Sequence, residues 1–274
     1  MELYSKTAQE LSRITTLRYS SSFSLSTMLF PKNMRGHIYN IYGLVRIADE
    51  IVDTYGGKDA VELLDDLERE TISAIKRGYS PNPIIHAFIL TVNAFTIDTA
   101  LIHDFFASMR MDITPLVYTQ KLYDTYIHGS AEVIGLMCLY AFIEGDNRQY
   151  ESLKNGASSL GAAYQKVNFL RDLTSDYQKL GRVYFPDVVF ETFDDQKKAA
   201  IISDIDNDFS LARSALKQLP RSARRATALS FHIYSALLEK LRNASSDEIK
   251  QKRIRIGTAH KLWIFCLVSL GILK

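Results

Sequence analysis

The sequence predicts an all-α fold, and three observations carry that prediction. Only 6 Pro and 13 Gly interrupt 274 residues, which favours long helices over a turn-rich β fold. Apolar residues recur at helical spacing through most of the chain. No βαβ alternation, faithful internal repeat or low-complexity tract appears. Hydrophobic residues make up 47% of the chain, enough for a sizeable core. One helical domain over residues 1–274 is the simplest account.

Leu3, Ala8, Leu11, Ile14 and Leu17 predict an opening amphipathic helix over residues 1–18. It ends at the polar run Tyr19, Ser20, Ser21, Ser22, and Pro31 marks the next break. From Asn33 to about Thr54, Ile38, Ile41, Val45, Ile51 and Val52 predict a second helix, closed by Gly56 and Gly57. Asp59 to Arg77 reads as a charged, solvent-facing helix. After a loop from Gly78 to Pro83, helices are expected at Ile84–Phe95, Ile97–Met109 and Thr119–Phe142, with Pro115 between the last two. A long helix is expected within Asp146–Tyr177, then a turn over Gly181–Pro186. Phe193–Leu219 and Arg221–Asn243 complete the set. The apolar run Leu262–Leu273 is shorter than the roughly 20 residues needed to span a bilayer. It is read as a terminal helix packed on the core. The alternative is a shallow membrane-docking segment, helped by Lys250, Lys252, Arg253 and Arg255.

The net charge of +2 gives no case for nucleic acid as a partner. Cys138 and Cys266 show no CxxC pattern and are expected to be buried or half-buried free thiols. The six histidines form no zinc pattern. No apolar leader follows Met1, so a cytoplasmic protein is expected, with the membrane surface as the alternative location.

Two stretches depart from ordinary amphipathic patterning. Tyr42, Arg46, Asp49 and Asp53 fall at i, i+4, i+7 and i+11, a polar stripe on a helix that is otherwise apolar. Gln165, Asn168, Asp172 and Asp176 form a second such stripe, with Arg171 beside it. An isolated pair of Asp four residues apart is most often a solvated helix face. Here each pair sits among apolar residues with an arginine and an amide or phenol, groups that are costly to bury without partners. Carboxylates one turn apart can hold Mg²⁺ and leave coordination positions open for a diphosphate. The arginines can clamp phosphate oxygens. The structural alternative is an internal Asp–Arg salt-bridge network.

With these motifs in order, the chain resembles the squalene/phytoene synthase family. Ser20-Ser21-Ser22-Phe23 with Leu29-Phe30-Pro31 looks like the family's opening segment. Tyr42-x-x-x-Arg46-x-x-Asp49-Glu50-x-x-Asp53 looks like its first Asp-rich motif. Tyr126 to Gly135 resembles the segment before the second. Gln165-x-x-Asn168-x-x-Arg171-Asp172-x-x-x-Asp176, then Gly181-Arg182-Val183-Tyr184-Phe185-Pro186, is the most specific match. The wording is most similar to bacterial phytoene synthases.

The resemblance implies an isoprenoid synthase bundle around a central hydrophobic cavity that takes two allylic prenyl diphosphates. By it, Asp49, Asp53, Asn168, Asp172 and Asp176 hold Mg²⁺, with Mn²⁺ as the alternative, and no NADPH is expected. Asp49, Asp53, Asp172, Asp176 and Tyr42 are the implied catalytic set. Tyr19, Ser20, Ser21, Ser22, Tyr42, Arg46, Tyr126, Gln165, Arg171, Tyr234 and Arg253 are the implied substrate-binding set. The implied reaction joins two geranylgeranyl diphosphates head to head, through a cyclopropyl diphosphate, into phytoene. Alternatives are a squalene, hydroxysqualene or dehydrosqualene synthase acting on farnesyl diphosphate, and a non-enzymatic helical assembly protein of the same family. Such a relative would be expected to lose Asp-pair members, and all four are present. The chain departs from the family at Glu132, where a small residue is usual, and His128 is expected to pair with Glu132. Ser26, Thr27 and Met28 are modest in size where the cavity wall is expected, which favours C20 over C15 tails.

Overall fold

The computed structural model describes residues 1–113 and 118–273, except for the side chain of Leu180. Pro115, expected between two helices, lies outside the described residues. The regular secondary structure of the described residues is all helical, with no strand. In chain order the helices are α1 (Glu2–Tyr19), α2 (Ser21–Thr27), α3 (Lys32–Glu50), α4 (Ala60–Arg77), α5 (Pro83–Phe95), α6 (Thr99–Met111) and α7 (Gln120–Ile127). They continue with α8 (Val133–Phe142), α9 (Asn147–Leu180), α10 (Asp195–Leu216), α11 (Arg221–Asn243), α12 (Ser246–Gln251) and α13 (Thr258–Ser269).

Local chemistry explains the boundaries. Ser20, Asn82, Asp98, Thr119, Asp146, Asp194 and Ser245 each cap a helix by accepting a backbone N–H with the side chain. Gly181 ends α9 in the left-handed region at φ 66°, a conformation that costs other residues a steric penalty. Two helices carry single π turns: Ile51–Tyr55 extends α3, and His128–Glu132 joins α7 to α8. The expected single helix Thr119–Phe142 is therefore two helices joined by a π turn. The polar run at which α1 ends also starts α2, because the Ser20 hydroxyl accepts from the Phe23 N–H at 3.3 Å.

Two large apolar clusters flank the centre. One gathers Phe88, Phe105, Phe106 and Leu44 with other side chains of α3–α6 and α8. The other gathers Leu170, Ile205, Phe209, Phe231 and Leu241 from α9, α10 and α11. A smaller cluster of Phe30, Met34, Ile38 and Ala226 ties the two sides. The π turn, α8 and α9 approach at backbone distance. A Cβ on Gly135 would sit 2.6 Å from the Ala157 carbonyl, and one on Gly161 would run into the Ala131 carbonyl. Only glycine permits that approach.

Several expectations need correction. The acidic helix α4 is not simply solvated: Arg110 on α6 bonds Asp65 at 2.6 Å and also pairs with Glu68, and His103 bonds Glu68 at 2.6 Å. Cys266 is exposed, not buried, because it lies on the outer face of α13, while Cys138 is half-buried. Met28 is 53% exposed and turns away from the core, whereas Ser26 and Thr27 face a cavity. α13 does pack on the core, through Ile264 and Val268 against α11. Among the described residues, no helix is long and apolar enough to cross a membrane.

Candidate active site

α3 and α9 supply two walls of a polar cavity of about 960 Å³. Tyr42, Arg46 and Asp49 come from α3, and Asp53 from the π turn that extends it. Gln165, Asn168, Arg171, Asp172 and Asp176 come from α9. Tyr19, Ser20, Ser21 and Ser22 enter from the α1–α2 junction, Tyr126 from the end of α7, and Tyr234 from α11. Arg253 enters from the strap between α12 and α13. Every residue of the implied catalytic, substrate-binding and Mg²⁺-holding sets lines this one cavity.

Like charges are crowded here, and their protonation shows it. Burial, then the neighbouring Asp53, pushes the Asp49 carboxyl up to about 7 even with Arg46 beside it at 2.5 Å. Burial, then the charges of Asp172 and Asp53, pushes Asp176 up to about 7. Burial also raises Asp53. Asp53 on one wall thus bears on Asp176 on the other, so the two pairs face each other within electrostatic reach. Asp172 is held differently: Arg171 pairs with it from the same helix, and Arg253 reaches it at 2.5 Å from the strap.

The cations and aromatics form a second layer of order. The Arg46 guanidinium lies 4.3 Å above the Tyr19 ring and also pairs with Glu50. Tyr42 stacks on Phe23 at 5.1 Å, and burial pushes its phenol up to about 12, so it remains a neutral donor. Tyr234 stacks on Tyr164 at 4.1 Å.

A salt-bridge network accounts for Asp49 and Asp172 but not for the rest. Among the described residues, Asp53 and Asp176 have no ion-pair partner. The buried Asn168 Oδ1 accepts no hydrogen bond, which is costly unless something else fills that role. Among the described residues, no three His, Cys, Asp or Glu side chains close into a preformed cage. An oxygen-only donor set spread over two walls fits a hard cation that shares its coordination with phosphate and water.

Sequence reasoning missed Asp112, which lies beneath the pairs just after α6. The Tyr126 hydroxyl donates to Asp112 Oδ2 at 2.6 Å, Tyr184 donates to Oδ1 at 3.2 Å, and Arg182 pairs with the same carboxylate at 3.3 Å. Burial raises the Asp112 carboxyl to about 6, with Tyr126 and Arg182 opposing it. Arg182 and Tyr184 stood in a quoted motif without assigned roles, and Asp112 carried no local signal. Arg255 and Lys261 also line the cavity unannounced, and the Lys261 ammonium donates to Ser21 Oγ at 3.2 Å.

Beside the polar cavity lies an apolar one of about 220 Å³. Phe23 and Gln165 line both, so the two adjoin. Its wall is rich in small side chains, among them Ala131, Ala157, Gly161, Ala212 and Ala215, with the stacked pair Phe30–Phe142 at 5.1 Å. His128 does pair with Glu132, at 2.9 Å, and Asp104 lies 3.4 Å from its other nitrogen.

Comparison with known proteins agrees with this layout. The chain is 28% identical to a 15-cis-phytoene synthase from Synechocystis sp., over 93% of this chain and 82% of that one. It is 28% identical to a second, from Synechococcus elongatus, over 97% and 93%. The fold superposes on the crystal structure of a dehydrosqualene synthase with a TM-score of 0.83, covering 98% of this chain and 97% of that one at 21% identity. It superposes on squalene synthase HpnC from Alicyclobacillus acidocaldarius with a TM-score of 0.77, covering 88% and 95% at 21% identity. Residues 16–260 match the squalene/phytoene synthase sequence profile, and the chain belongs to that family of prenyl-transferring enzymes.

Proposed function

We propose that the enzyme condenses two geranylgeranyl diphosphates head to head into phytoene, with residues 1–274 acting as one catalytic unit. The observation that carries this reading is the paired cavity. A polar chamber holding two facing carboxylate pairs opens beside an apolar chamber walled by alanine and glycine. Amphiphilic substrates with a diphosphate head and a long hydrocarbon tail match that division.

Asp49, Asp53, Asp172, Asp176 and the oxygen of Asn168 would hold Mg²⁺ in the polar chamber. Bound there, the cation supplies Lewis-acid neutralisation of the departing diphosphate oxygens. The chain's own groups do the rest. Arg46, Arg171, Arg253 and Lys261 bind phosphate oxygens and keep the two heads apart from the tails. Ser20, Ser21 and Ser22, with the neutral Tyr42 phenol, donate to the same oxygens. Loss of diphosphate from C1 of one substrate leaves an allylic cation. The C2–C3 double bond of the second attacks that carbon, a proton is lost, and a cyclopropylcarbinyl diphosphate results. Departure of the second diphosphate, rearrangement and loss of another proton give a triene centre. The rings of Phe23, Tyr42, Tyr164 and Tyr234 line the chambers where positive charge develops, and their faces stabilise it. The apolar wall excludes water that would quench the cation.

Modest side chains at Ser26 and Thr27, both on the apolar wall, favour C20 tails. The test is incubation with labelled C15 and C20 diphosphates, Mg²⁺ and no NADPH. A C40 product from the C20 substrate is expected. A C30 product from the C15 substrate alone overturns the phytoene assignment in favour of a squalene or dehydrosqualene type. No turnover of either substrate by the folded protein overturns the enzymatic reading.

A further inference from the structure

The floor of the polar chamber holds a carboxylate whose partners fix the direction of a hydrogen bond above it. Asp112 is 4% exposed and follows directly on α6. Its Oδ1 takes two donors, the Arg182 guanidinium at 3.3 Å and the Tyr184 hydroxyl at 3.2 Å. Arg182 donates to the Asp112 backbone carbonyl as well. Its Oδ2 takes the Tyr126 hydroxyl at 2.6 Å. Burial lifts the carboxyl only to about 6, so near neutral pH and above it is ionised. An ionised carboxylate accepts hydrogen bonds and cannot donate one. Burial also holds the Tyr126 phenol well above its ordinary value, so it keeps its proton.

A phenol has a single hydrogen to give, and here it is committed to Asp112. Tyr126 lines the chamber, so what it can show the chamber is the lone pairs of its oxygen. The charge behind that oxygen has the same sense. Asp112 adds to the rise of Asp49, and Asp53 adds to the rise of Asp112. An acceptor backed by carboxylates repels a diphosphate and attracts positive charge. The phenol is held in place by its neighbours: its ring stacks on Tyr184 at 5.2 Å, and Tyr184 stacks on Phe169 at 4.0 Å.

We propose that Asp112 is a positioning residue: it takes the Tyr126 proton and so turns the phenol oxygen into an acceptor that faces the allylic cation, not the diphosphate. The inference rests on the prenyl-diphosphate reading. A dipole already oriented toward developing charge needs no reorganisation during the reaction, and in a dry site it is worth far more than in water. The buried Asp112–Arg182 pair thereby has a use beyond stability, to which such a pair contributes little by itself. Arg182 keeps the carboxylate charged, and the carboxylate keeps Tyr126 aimed.

Asp112→Asn reverses the arrangement. The donors Arg182 and Tyr184 keep the amide oxygen at the Oδ1 position, which sets the amide N–H₂ against Tyr126. The phenol then accepts from below and donates into the chamber. The expected result is a kcat lower by about a hundredfold. Inorganic diphosphate with Mg²⁺, followed by calorimetry, should bind about tenfold more tightly. Tyr126→Phe should lower kcat and leave diphosphate affinity unchanged. In the Tyr126→Phe background, Asp112→Asn should bring no tightening, which separates a turned hydroxyl from the mere loss of a charge. Fluorotyrosine at position 126 covers the case in which Asp112→Asn does not fold. Its oxygen is a weaker acceptor, so kcat should fall while diphosphate affinity stays the same. Undiminished kcat in Asp112→Asn overturns the proposal. So does weaker diphosphate binding in Tyr126→Phe, equal tightening in both backgrounds, or tighter diphosphate binding with fluorotyrosine. Wild-type protein that turns over neither prenyl diphosphate would sink the proposed reaction and leave the direction of the Tyr126 hydrogen bond to stand or fall on calorimetry.

Discussion

Asp176→Asn separates what a carboxylate does for the fold from what it does for the reaction. Asp176 is half-buried, and its carboxyl is pushed from 3.8 to about 7 by burial first and then by Asp172 and Asp53. A folded-state value above the unfolded one makes the carboxyl a stabilising group only in acid. That stability is fully present below the unfolded value and is lost as pH rises through about 7. The shift corresponds to about 4 kcal/mol of unfavourable charge at pH 8, taking about 1.4 kcal/mol per unit. Relaxation and solvent reduce it, and about 2 kcal/mol is the working figure. Asparagine keeps the shape and removes the charge. In EDTA at pH 8, Asp176→Asn should therefore melt higher by about 4–8 °C. The gain should fall by more than half at pH 5 and vanish toward pH 4. With Mg²⁺ and inorganic diphosphate, the variant should gain less stability than wild type, and turnover should fall at least a hundredfold. Differential scanning fluorimetry across pH, with and without Mg²⁺, reads all of this except turnover. A variant no more stable than wild type at pH 8, or a gain independent of pH, refutes the charge-crowding argument. Undiminished turnover refutes the metal role.

Other substitutions probe separate parts of the site. Tyr126→Phe removes the 2.6 Å donor from buried Asp112 and should cost about 1–3 kcal/mol by denaturant titration, with a loss of kcat larger than any change in KM. Arg253→Ala frees one side of Asp172 at the cavity mouth, so KM for the diphosphate should rise by about tenfold while kcat changes little. Gly161→Ala forces a methyl into the Ala131 carbonyl and should destabilise by about 1–3 kcal/mol, seen as a lower melting temperature.

The parts of the site legible in the sequence were those with helical periodicity. Asp49 with Asp53, and Asn168 with Asp172 and Asp176, repeat at one turn, so one dimension of sequence encodes one face of a helix. Asp53 stays on that face even though the backbone winds into a π turn at Ile51, which no local residue pattern announced. Asp112 was invisible for the opposite reason. It follows the end of α6, and its partners Tyr126, Arg182 and Tyr184 reach it through the tertiary fold alone. The same holds for Lys261, which reaches Ser21 across most of the chain length. The outer stripe of α13 was misjudged in part because its apolar run fits core and surface alike. Ile264 and Val268 are fully buried, Phe265 packs on the same core from the edge, and the packing of α11 decides which residues turn inward.

The glycine contacts of α9 with α8 and with the π turn before it bear on how this scaffold would take redesign. Where helices are spaced by bulky side chains, trimming those side chains lets the helices slump and reclaim part of the space. Here Gly135 and Gly161 set main chain against main chain, so the span between these walls is fixed by peptide groups that no substitution removes. Shortening Leu153, Leu160 or Leu216 on the same chamber should then yield usable room instead of subsidence. The backbone serves as a strut, and the lining residues become an adjustable gauge for tail length.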